Sequence, residues 1–388
     1  MYLLCRRKLE GAFYHSNLLI LSPMKIFWTI VISLFAACGL SSCSNDNGTS
    51  SGKQSEVLAE AMAHNLDLFY YYNSLTSATA DTVYHQINAL AYGKVTQQQL
   101  NTAAATFLRM RLLYEQTEAF FLGPNSHFDI DADINKWPLD HQSFDQLMTS
   151  GSQLETVSGL PSSIVGFHGL EYILYREGKV RNVSDLTARE IQYAQLLIAD
   201  LRLRLAQVRC GWTAADTELK QLLGTHALPY TAPDESDYRT YMLKAYTTKQ
   251  LAAALLTGDH GMGGLSDEIA YTKLNRPYSS DSTYIESPYS MTSLDDLERN
   301  LASISNVWYG APLKKGTASF HSYFASYAAA EGQKVEEALV NCKKSLEAIP
   351  KPFVSHCKDA SVPLAIKAFE QLTAALSDAN DYIQNNEK

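Results

Sequence analysis

Apolar residues recur along most of the chain at intervals of three and four positions, as in Leu58, Met62, Leu66 and Phe69. Residues with this spacing share one face of an α-helix, so the pattern predicts helices that pack through apolar stripes. No sustained alternation of apolar and polar residues indicates a sheet. The sequence therefore predicts an all-α fold, with helices at 56–77, 81–92, 96–122, 144–149, 162–177, 186–211, 214–223, 238–256, 294–307, 319–348 and 362–384.

Two long passages, residues 123–142 and 257–292, interrupt the predicted helices and contain glycine and proline. Long irregular segments inside compact helical proteins are usually functional or disordered. The aromatic residues in these passages argue against disorder, so we expect the loops to pack over a site. The simplest architecture is two antiparallel helical bundles, 56–225 and 226–388, packed together with the long loops at their interface. No clear sequence repeat relates the two halves.

The N-terminal segment predicts export. Met24 and a lysine precede twelve apolar or small residues, 26–37, which are too few to span a bilayer and are typical of a signal peptide. A leucine three positions before Cys43, with two serines between, resembles the bacterial lipobox, in which the cysteine is lipidated. We therefore expect residues 1–42 to be a signal region with its true start at Met24, and 43–55 to be a flexible tether. The protein would be a lipoprotein of the bacterial cell envelope, held to the outer membrane through Cys43.

The acidic net charge of the chain indicates which kinds of partner it can attract. The whole chain has a net charge of −9, and residues 1–42 carry more basic than acidic residues, so their removal makes the remainder more acidic. Nucleic acid would be repelled by such a protein, whereas cations would be attracted. Plain solubility is the alternative explanation for the acidity.

The cysteines leave two alternatives open. Cys342 and Cys357 lie on either side of the proline-containing breaker 350–352, so two antiparallel helices meeting there would bring the thiols to about the same level. Export permits a disulfide, and two reduced buried cysteines are the alternative. Cys210 has no partner that the sequence identifies.

The strongest chemical signature is the segment IVGFHGLEYILY, residues 164–175, whose only ionisable groups apart from tyrosines are His168 and Glu171. Positions i and i+3 share one helix face, so the imidazole and the carboxylate can reach one point. An unpaired carboxylate in apolar surroundings is costly, so Glu171 needs a partner. Protonated His168, an arginine from another helix and a metal ion are the three candidates. A hydrogen-bonded core pair without metal is the plainer alternative.

This motif differs from the zinc-peptidase signature HExxH. In that signature two histidines bind zinc, and the glutamate after the first histidine activates water. Gly169 follows His168 here, so a water-activating carboxylate would have to come from elsewhere. His168 and Glu171 are also too few to close a site, because zinc needs at least three protein ligands.

Three carboxylates elsewhere are candidates for the missing ligands. Glu118 shares a helical strip with aromatic residues and should be partly buried, with pairing to Arg111 as its alternative role. Asp140 follows a proline-containing turn in the first long loop, where helix capping is the alternative. Glu286 lies in the second long loop, where a solvated carboxylate is the alternative. The predicted metal ligands are therefore His168, Glu171, Glu118, Asp140 and Glu286.

Taken in order, the segments YEQTEAFFLGP, WPLD, GFHGLE, IESPYS and NVWYG resemble the imelysin family. That family is identified by a GxHxxE motif, which Gly166, His168 and Glu171 match residue for residue. The resemblance extends from about residue 56 to the C terminus. It implies an all-α fold of two helical bundles with a site at their interface.

The resemblance also implies two competing functions. One is an insulin-cleaving metallopeptidase, and the other is an iron-regulated protein similar to the periplasmic component of an iron uptake system. The missing base beside His168 favours a non-enzymatic lipoprotein that binds a divalent metal ion or a metal-bearing ligand. Histidine and carboxylates suit iron at least as well as zinc, so iron is the favoured ion. An iron-uptake receptor or transporter would be its partner. A scaffold, in which the motif only joins the two bundles, is the third alternative.

Overall fold

The computed structural model of the chain describes residues 49–213, 216–311 and 317–387, with side chains from residue 52 onward. The predicted signal region 1–42 and the lipid anchor Cys43 lie outside the described residues.

The predicted tether 43–55 differs from the structure in its described part, which is helical from Thr49. The amide of Gln54 donates to the hydroxyl of Tyr323 at 2.9 Å, and Ser55 Oγ donates to Glu387 at 2.5 Å. This end of the helix is therefore fixed against the C-terminal half of the chain.

The described residues form helices, with a single hairpin of two short antiparallel strands. The α-helices are α1 (Thr49–Asn88), α2 (Gln97–Glu115), α3 (Pro124–His127), α4 (Ile130–Ile134), α5 (His141–Thr149), α6 (Gly166–Leu174), α7 (Ala188–Trp212), α8 (Thr217–Thr225), α9 (Tyr238–Ala245), α10 (Thr248–Leu256), α11 (Met262–Asp267), α12 (Arg276–Ser279), α13 (Ser293–Tyr309), α14 (Phe320–Tyr327), α15 (Ala329–Glu347), α16 (Phe353–His356) and α17 (Val362–Asn386). Short 3₁₀ turns occupy Glu118–Phe120, Ser162–Ile164 and Val183–Asp185, a π-helix occupies Glu268–Asn275, and the strands are β1 (Tyr175–Arg176) and β2 (Lys179–Val180).

The fold is all-α, as predicted, although several helix ends differ. Helix α1 continues through 78–80, where a break between two helices was expected. Ala80 is fully buried there, and Thr79 Oγ1 donates to the carbonyl of Leu75 at 2.8 Å, so the polar side chain is satisfied within the helix. Conversely, the helix predicted at 319–348 divides at Ala328, whose φ of −153° and ψ of 61° are not helical.

The second long passage, 257–292, is more regular than expected, because α11, the π-helix and α12 follow one another through Ser279. In a π-helix the hydrogen bonds join residues five apart, and such turns are rare and frequently occur at functional sites. This one carries Lys273, whose side chain is buried. The irregular parts of the passage are the short connection 257–261 and the residues between α12 and α13.

The described residues, from 49 onward, belong to one compact unit. Helix α1 lies against α2 and α7 in the N-terminal half, and α15 pairs with α17 in the C-terminal half. Helix α13 contacts α2 on one side and α15 on the other, and therefore joins the halves. A continuous apolar core runs through both. Among the described helices, none combines the length and apolarity needed to cross a bilayer.

Of the two alternatives for the cysteines, a disulfide or free thiols, the structure has free thiols. Cys210, Cys342 and Cys357 are all buried and unbridged. Cys342 and Cys357 belong to the main apolar core, whereas Cys210 lies in a small separate cluster with Leu223.

Candidate functional site

The two glycines of GFHGLE allow helix α6 to lie close to its neighbours. Gly166 has a φ of +69°, which L side chains rarely adopt, and a Cβ atom there would overlap the backbone of Ile134. A Cβ atom on Gly169 would overlap the carbonyl oxygen of Ile164. Side chains at either position would therefore push α6 away, and with it His168 and Glu171.

Glu171 is buried, and its partners come mainly from the loop between α12 and α13. Its Oε1 accepts hydrogen bonds from the backbone N–H groups of Tyr289, at 3.1 Å, and Ser290, at 2.8 Å. The Ser290 hydroxyl donates to the same oxygen at 2.6 Å. The other oxygen, Oε2, lies 3.4 Å from Nδ1 of His168. Glu171 is thus held by His168 and by the loop between α12 and α13. The sequence did not indicate this loop as a partner.

His168 is 2 % exposed and uses only one of its ring nitrogens. Within the described part of the chain, Nε2 has no hydrogen-bond partner. Oε1 of Glu286 lies 4.0 Å from this nitrogen. A buried ring nitrogen without a partner is uncommon, because such groups lose their hydration on folding and gain nothing in return. The site therefore has an imidazole nitrogen that is free to bind a ligand.

Three buried glutamates lie beside His168. Glu115, Glu118 and Glu286 each offer an oxygen within 4.8 Å of the other two. The ammonium group of Lys273 is among them, 2.9 Å from Glu118, 2.9 Å from Glu286 and 3.6 Å from Glu115. Asn300 donates to Glu115 at 2.7 Å and to Glu118 at 2.8 Å. The π-helix thus delivers a cation to the centre of this three-glutamate group.

Arg111 joins the three-glutamate group to a further carboxylate. Its Nη2 lies 2.6 Å from Glu115 and 2.5 Å from Glu286, and its Nε lies 3.9 Å from Asp296. Nη1 of the same guanidinium donates to the side chain of Asn135. The sequence had offered Arg111 as a partner of Glu118, whereas Glu118 pairs with Lys273 instead.

Buried carboxyl groups outnumber the buried permanent cations at this site. Five buried carboxylates stand against two permanent cations, Arg111 and Lys273, and the carboxylates are Glu115, Glu118, Glu171, Glu286 and Asp296. Burial of a carboxylate disfavours its charged form unless a cation compensates, so such a group favours an additional cation or bound protons.

The carboxylates of the site differ in pKa because their cationic partners differ. Burial raises the pKa of Glu118 to about 8, although Lys273 opposes the shift. Burial also raises the pKa of Glu115 and Asp296 well above the usual range, against the pull of Arg111. Glu286 differs, because Lys273, Arg111 and His168 together outweigh the effect of burial and hold its pKa at about 2. Glu286 is therefore the carboxylate of this group that stays ionised next to His168.

Asp140 lies in a different environment from the other predicted ligands. It is the N-cap of α5, where Oδ1 accepts from the Ser143 N–H at 3.1 Å and Oδ2 accepts from the Ser143 hydroxyl at 2.6 Å. These bonds lower the pKa of Asp140. The structure thus gives Asp140 the capping role that was its alternative, and brings together His168, Glu171, Glu118 and Glu286.

Several residues of the site were not among the predicted ligands. Lys273 lies in a passage that looked like a loop, and nothing in its sequence neighbourhood indicated burial. Glu115 is three positions before Glu118, so the same helical strip could have suggested it. Asp296 is in the first turn of α13, where acidic residues commonly stabilise a helix N-terminus without further function.

A small void lies against His168. Its lining combines aromatic and aliphatic side chains with hydroxyls, a guanidinium and the motif residues, namely Phe107, Leu108, Arg111, Phe167, His168, Glu171, Ser287 and Ser290. The void has no room for a water molecule, so a ligand would have to displace side chains to reach His168.

Protein cations already contact the carboxylates in both parts of the site where a metal ion could bind. Metal–nitrogen and metal–oxygen bonds of about 2.0 to 2.2 Å allow an ion between two atoms that are 4.0 Å apart, as are His168 Nε2 and Glu286 Oε1, but Arg111 Nη2 lies 2.5 Å from the same oxygen and would have to move. In the three-glutamate group the Lys273 ammonium already occupies the place where a cation would bind. An ion there would have to displace it.

Comparisons with known proteins agree with this architecture. Residues 71–379 match the model of the imelysin family. The iron-regulated protein A of Synechococcus elongatus is 24% identical over 354 residues, which is 90% of this chain and 88% of that protein. A crystal structure described as an iron-regulated protein A precursor, from Parabacteroides distasonis, superposes with a TM-score of 0.73 at 20% identity, over 84% of this chain and 95% of that one. Because the family match covers most of the chain, the protein belongs to the imelysin family.

Proposed function

We propose that this protein is a non-enzymatic lipoprotein of the bacterial cell envelope that binds a metal ion, or a metal-bearing ligand, in support of iron uptake. The observation that carries the proposal is the buried Nε2 atom of His168, which has no hydrogen-bond partner and faces ionised Glu286 at 4.0 Å. His168 and Glu286 are the proposed ligands. The surplus of buried carboxylates around them favours a cation over an anion.

Iron is the favoured ion for two reasons. An imidazole nitrogen with carboxylate oxygens is a ligand set that suits iron as well as zinc. The relative in Synechococcus elongatus is named an iron-regulated protein. Two protein ligands leave most coordination positions open, so the ion would bring water or a ligand of its own, and the side chains around His168 would have to move to admit it. A receptor or transporter of an iron uptake system is the proposed partner.

Localisation at the outer membrane through lipidated Cys43 is part of the proposal. Its support is the lipobox-like sequence ahead of Cys43. The structural neighbour from Parabacteroides distasonis is described as a precursor, which is the term for a protein with a removable leader. Mass analysis of the mature N terminus tests this part, and protein material upstream of Cys43 would contradict it.

A metallopeptidase is the alternative, and the geometry supports it less well. In HExxH peptidases the residue after the first histidine is the water-activating glutamate. Here that position is Gly169, and a side chain on it would overlap the Ile164 carbonyl oxygen. Glu118, whose raised pKa would suit a general base, is bound by Lys273 and Asn300.

Metal binding by the mature chain tests the proposal. Calorimetry with Fe²⁺ under anaerobic conditions, and with Zn²⁺, would be compared between the wild type and His168→Ala. We expect the variant to bind more than about 100-fold more weakly, since it lacks a ligand whose orienting partners alone are worth 10- to 100-fold. His321→Ala is the matched control, because His321 is half-buried and pairs with Glu336 at 2.6 Å outside the site.

Two results would contradict the proposal. Equal affinities in wild type and His168→Ala would remove His168 from the site. Cleavage of peptides that stops on addition of a chelator, and that His168→Ala abolishes, would establish the metallopeptidase instead.

A further inference from the structure

We infer that Glu171 is a positioning residue of the metal site and not one of its ligands. One of its oxygens holds the proton of His168 on Nδ1, which leaves the lone pair of Nε2 for the ion. The other oxygen fixes the loop that carries Glu286. The inference deepens the proposed function and rests on it for the ion, whereas the state of the imidazole can be tested without any metal.

The Oε1 atom of Glu171 has no capacity left for a metal. A carboxylate oxygen has about two lone-pair directions. Three donors already converge on Oε1, at 2.6, 2.8 and 3.1 Å, and all come from Tyr289 and Ser290. An ion bound to this oxygen would have to break at least one bond of a buried network, at a cost of about 1 to 3 kcal/mol for each donor left unsatisfied.

The Oε2 atom determines which nitrogen of His168 carries the proton. An ionised carboxylate only accepts hydrogen bonds, so the imidazole nitrogen that faces it must donate. Nδ1 faces Oε2 at 3.4 Å, and in a neutral ring the proton therefore belongs on Nδ1. Nε2 is then the unprotonated nitrogen, and the group facing it is the carboxylate of Glu286, whose two oxygens already contact Arg111 at 2.5 Å and Lys273 at 2.9 Å.

The same side chain also places Glu286. Glu286 is three and four positions before Tyr289 and Ser290, the residues that Glu171 holds. Ser287, between them, has a φ of 49°, which a residue other than glycine adopts only when its surroundings enforce it. The Ser293 hydroxyl donates to the Glu286 carbonyl at 2.5 Å and fixes the other end of the turn. Glu171 thus controls both proposed ligands.

A histidine that binds a metal and a carboxylate that orients it form a recurring arrangement in metal sites. Histidines that bind metals usually donate their second N–H to a carboxylate, which sets the tautomer and the ring orientation. The i, i+3 spacing of GFHGLE supplies such a pair from a single helix turn.

The variant Glu171→Gln separates positioning from folding. The glutamine carbonyl can accept the three hydrogen bonds that now reach Oε1, so the loop remains fixed. Its NH₂ group then faces Nδ1 of His168 and donates to it, which moves the imidazole proton to Nε2. Imidazole ¹⁵N chemical shifts, measured on metal-free protein at about pH 8, report which nitrogen is protonated; that pH is above the ordinary histidine pKa of about 6.5.

The matched control is Glu336→Gln. Glu336 contacts Nδ1 of His321 at 2.6 Å in a half-buried pair, so this variant makes the same chemical change away from the site. We expect it to leave the signals of His168 and the metal affinity unchanged.

The expected result is Nδ1–H in the wild type, Nε2–H in Glu171→Gln, and metal binding about 10- to 100-fold weaker in that variant. A proton on Nε2 of the wild type, no change in Glu171→Gln, or a shifted proton with unchanged metal affinity would each overturn the inference. Failure of the wild type to bind any ion would refute the proposed function, and the ¹⁵N shifts would still decide whether Glu171 positions His168.

Discussion

Replacing Lys273 with methionine would remove the cation at the centre of the three-glutamate group. Its ammonium lies 2.9 Å from both Glu118 and Glu286 and 3.6 Å from Glu115. Methionine keeps an unbranched stem of similar length, so the main loss is the charge. Arg111 then remains the permanent cation that contacts Glu115 and Glu286, while Glu118 loses its ion-pair partner.

The magnitude follows from the burial of the pair. Removing one partner of a buried, hydrogen-bonded ion pair typically costs about 3 to 5 kcal/mol, because the other partner is left charged away from water. In a folded unit of this size each kcal/mol lowers Tm by about 1 to 2 °C, so we expect Tm to fall by about 4 to 8 °C. Lys334→Met is the matched control, since Lys334 pairs with Asp378 at 2.7 Å but both side chains are more than half exposed. Its Tm should not change measurably.

The destabilisation should depend on pH. Without the ammonium, the pKa values of Glu118 and Glu286 in the folded variant rise above those in the wild type, since Lys273 lowers both. A group whose pKa is raised in the folded state stabilises the folded protein at low pH, and this contribution is lost as the pH rises through that pKa. The difference between variant and wild type should therefore be largest at about pH 8 and shrink toward about pH 5.

Urea unfolding followed by circular dichroism, at several pH values between these limits, measures both effects. Equal stability of Lys273→Met and the wild type would refute the buried ion-pair network. A loss of stability that is independent of pH would show that lost packing, and not lost charge, is responsible.

Four further experiments test other parts of the structure. Gly166→Ala should cost several kcal/mol in urea unfolding because its Cβ would overlap backbone, whereas Gly93→Ala, with the same sign of φ and open space, should cost only about 1 to 2 kcal/mol. Glu118, with its pKa raised from 4.5 to about 8, contributes stability that is lost as pH rises between these values, so Glu118→Gln should flatten that loss. Glu286, with its pKa lowered from 4.5 to about 2, contributes stability that is lost as pH falls between these values, and Glu286→Gln should remove that dependence. Peptide mapping should find Cys342 alkylated only after unfolding, because burial raises the pKa of its thiol.

The helical character of the chain was predictable because apolar spacing reports directly which residues face the core. The positions where helices end or continue were less predictable. The residues around Thr79 looked like a helix end, yet side-chain hydrogen bonds to the preceding turn let α1 continue. The π-helix at Glu268–Asn275 was missed because glycine and proline on either side of it indicated a loop.

For the candidate site, the spacing of residues along the sequence could identify only those that lie on the same helix. His168 and Glu171 were found in this way, and the structure brings Glu118 and Glu286 next to them. Lys273 could not be found, because its burial depends on the packing of the π-helix against α17 and on carboxylates from other elements. Asp140 has the same Pro-Leu-Asp context whether it caps a helix or binds an ion, and only the position of Ser143 distinguishes the two.

The energetics of the buried charges argue that the site is there for binding. Buried ion pairs can often be replaced by apolar side chains of similar volume without loss of stability, and sometimes with a gain. A network of five carboxylates and two cations is therefore a poor way to stabilise a helical core. Its distinctive effect is local: it places the carboxylate of Glu286, which stays ionised between Arg111 and Lys273, 4.0 Å from the free Nε2 atom of His168. An anion or a neutral peptide carbonyl gains little from such surroundings, whereas a metal cation can use both a carboxylate and the unoccupied imidazole nitrogen.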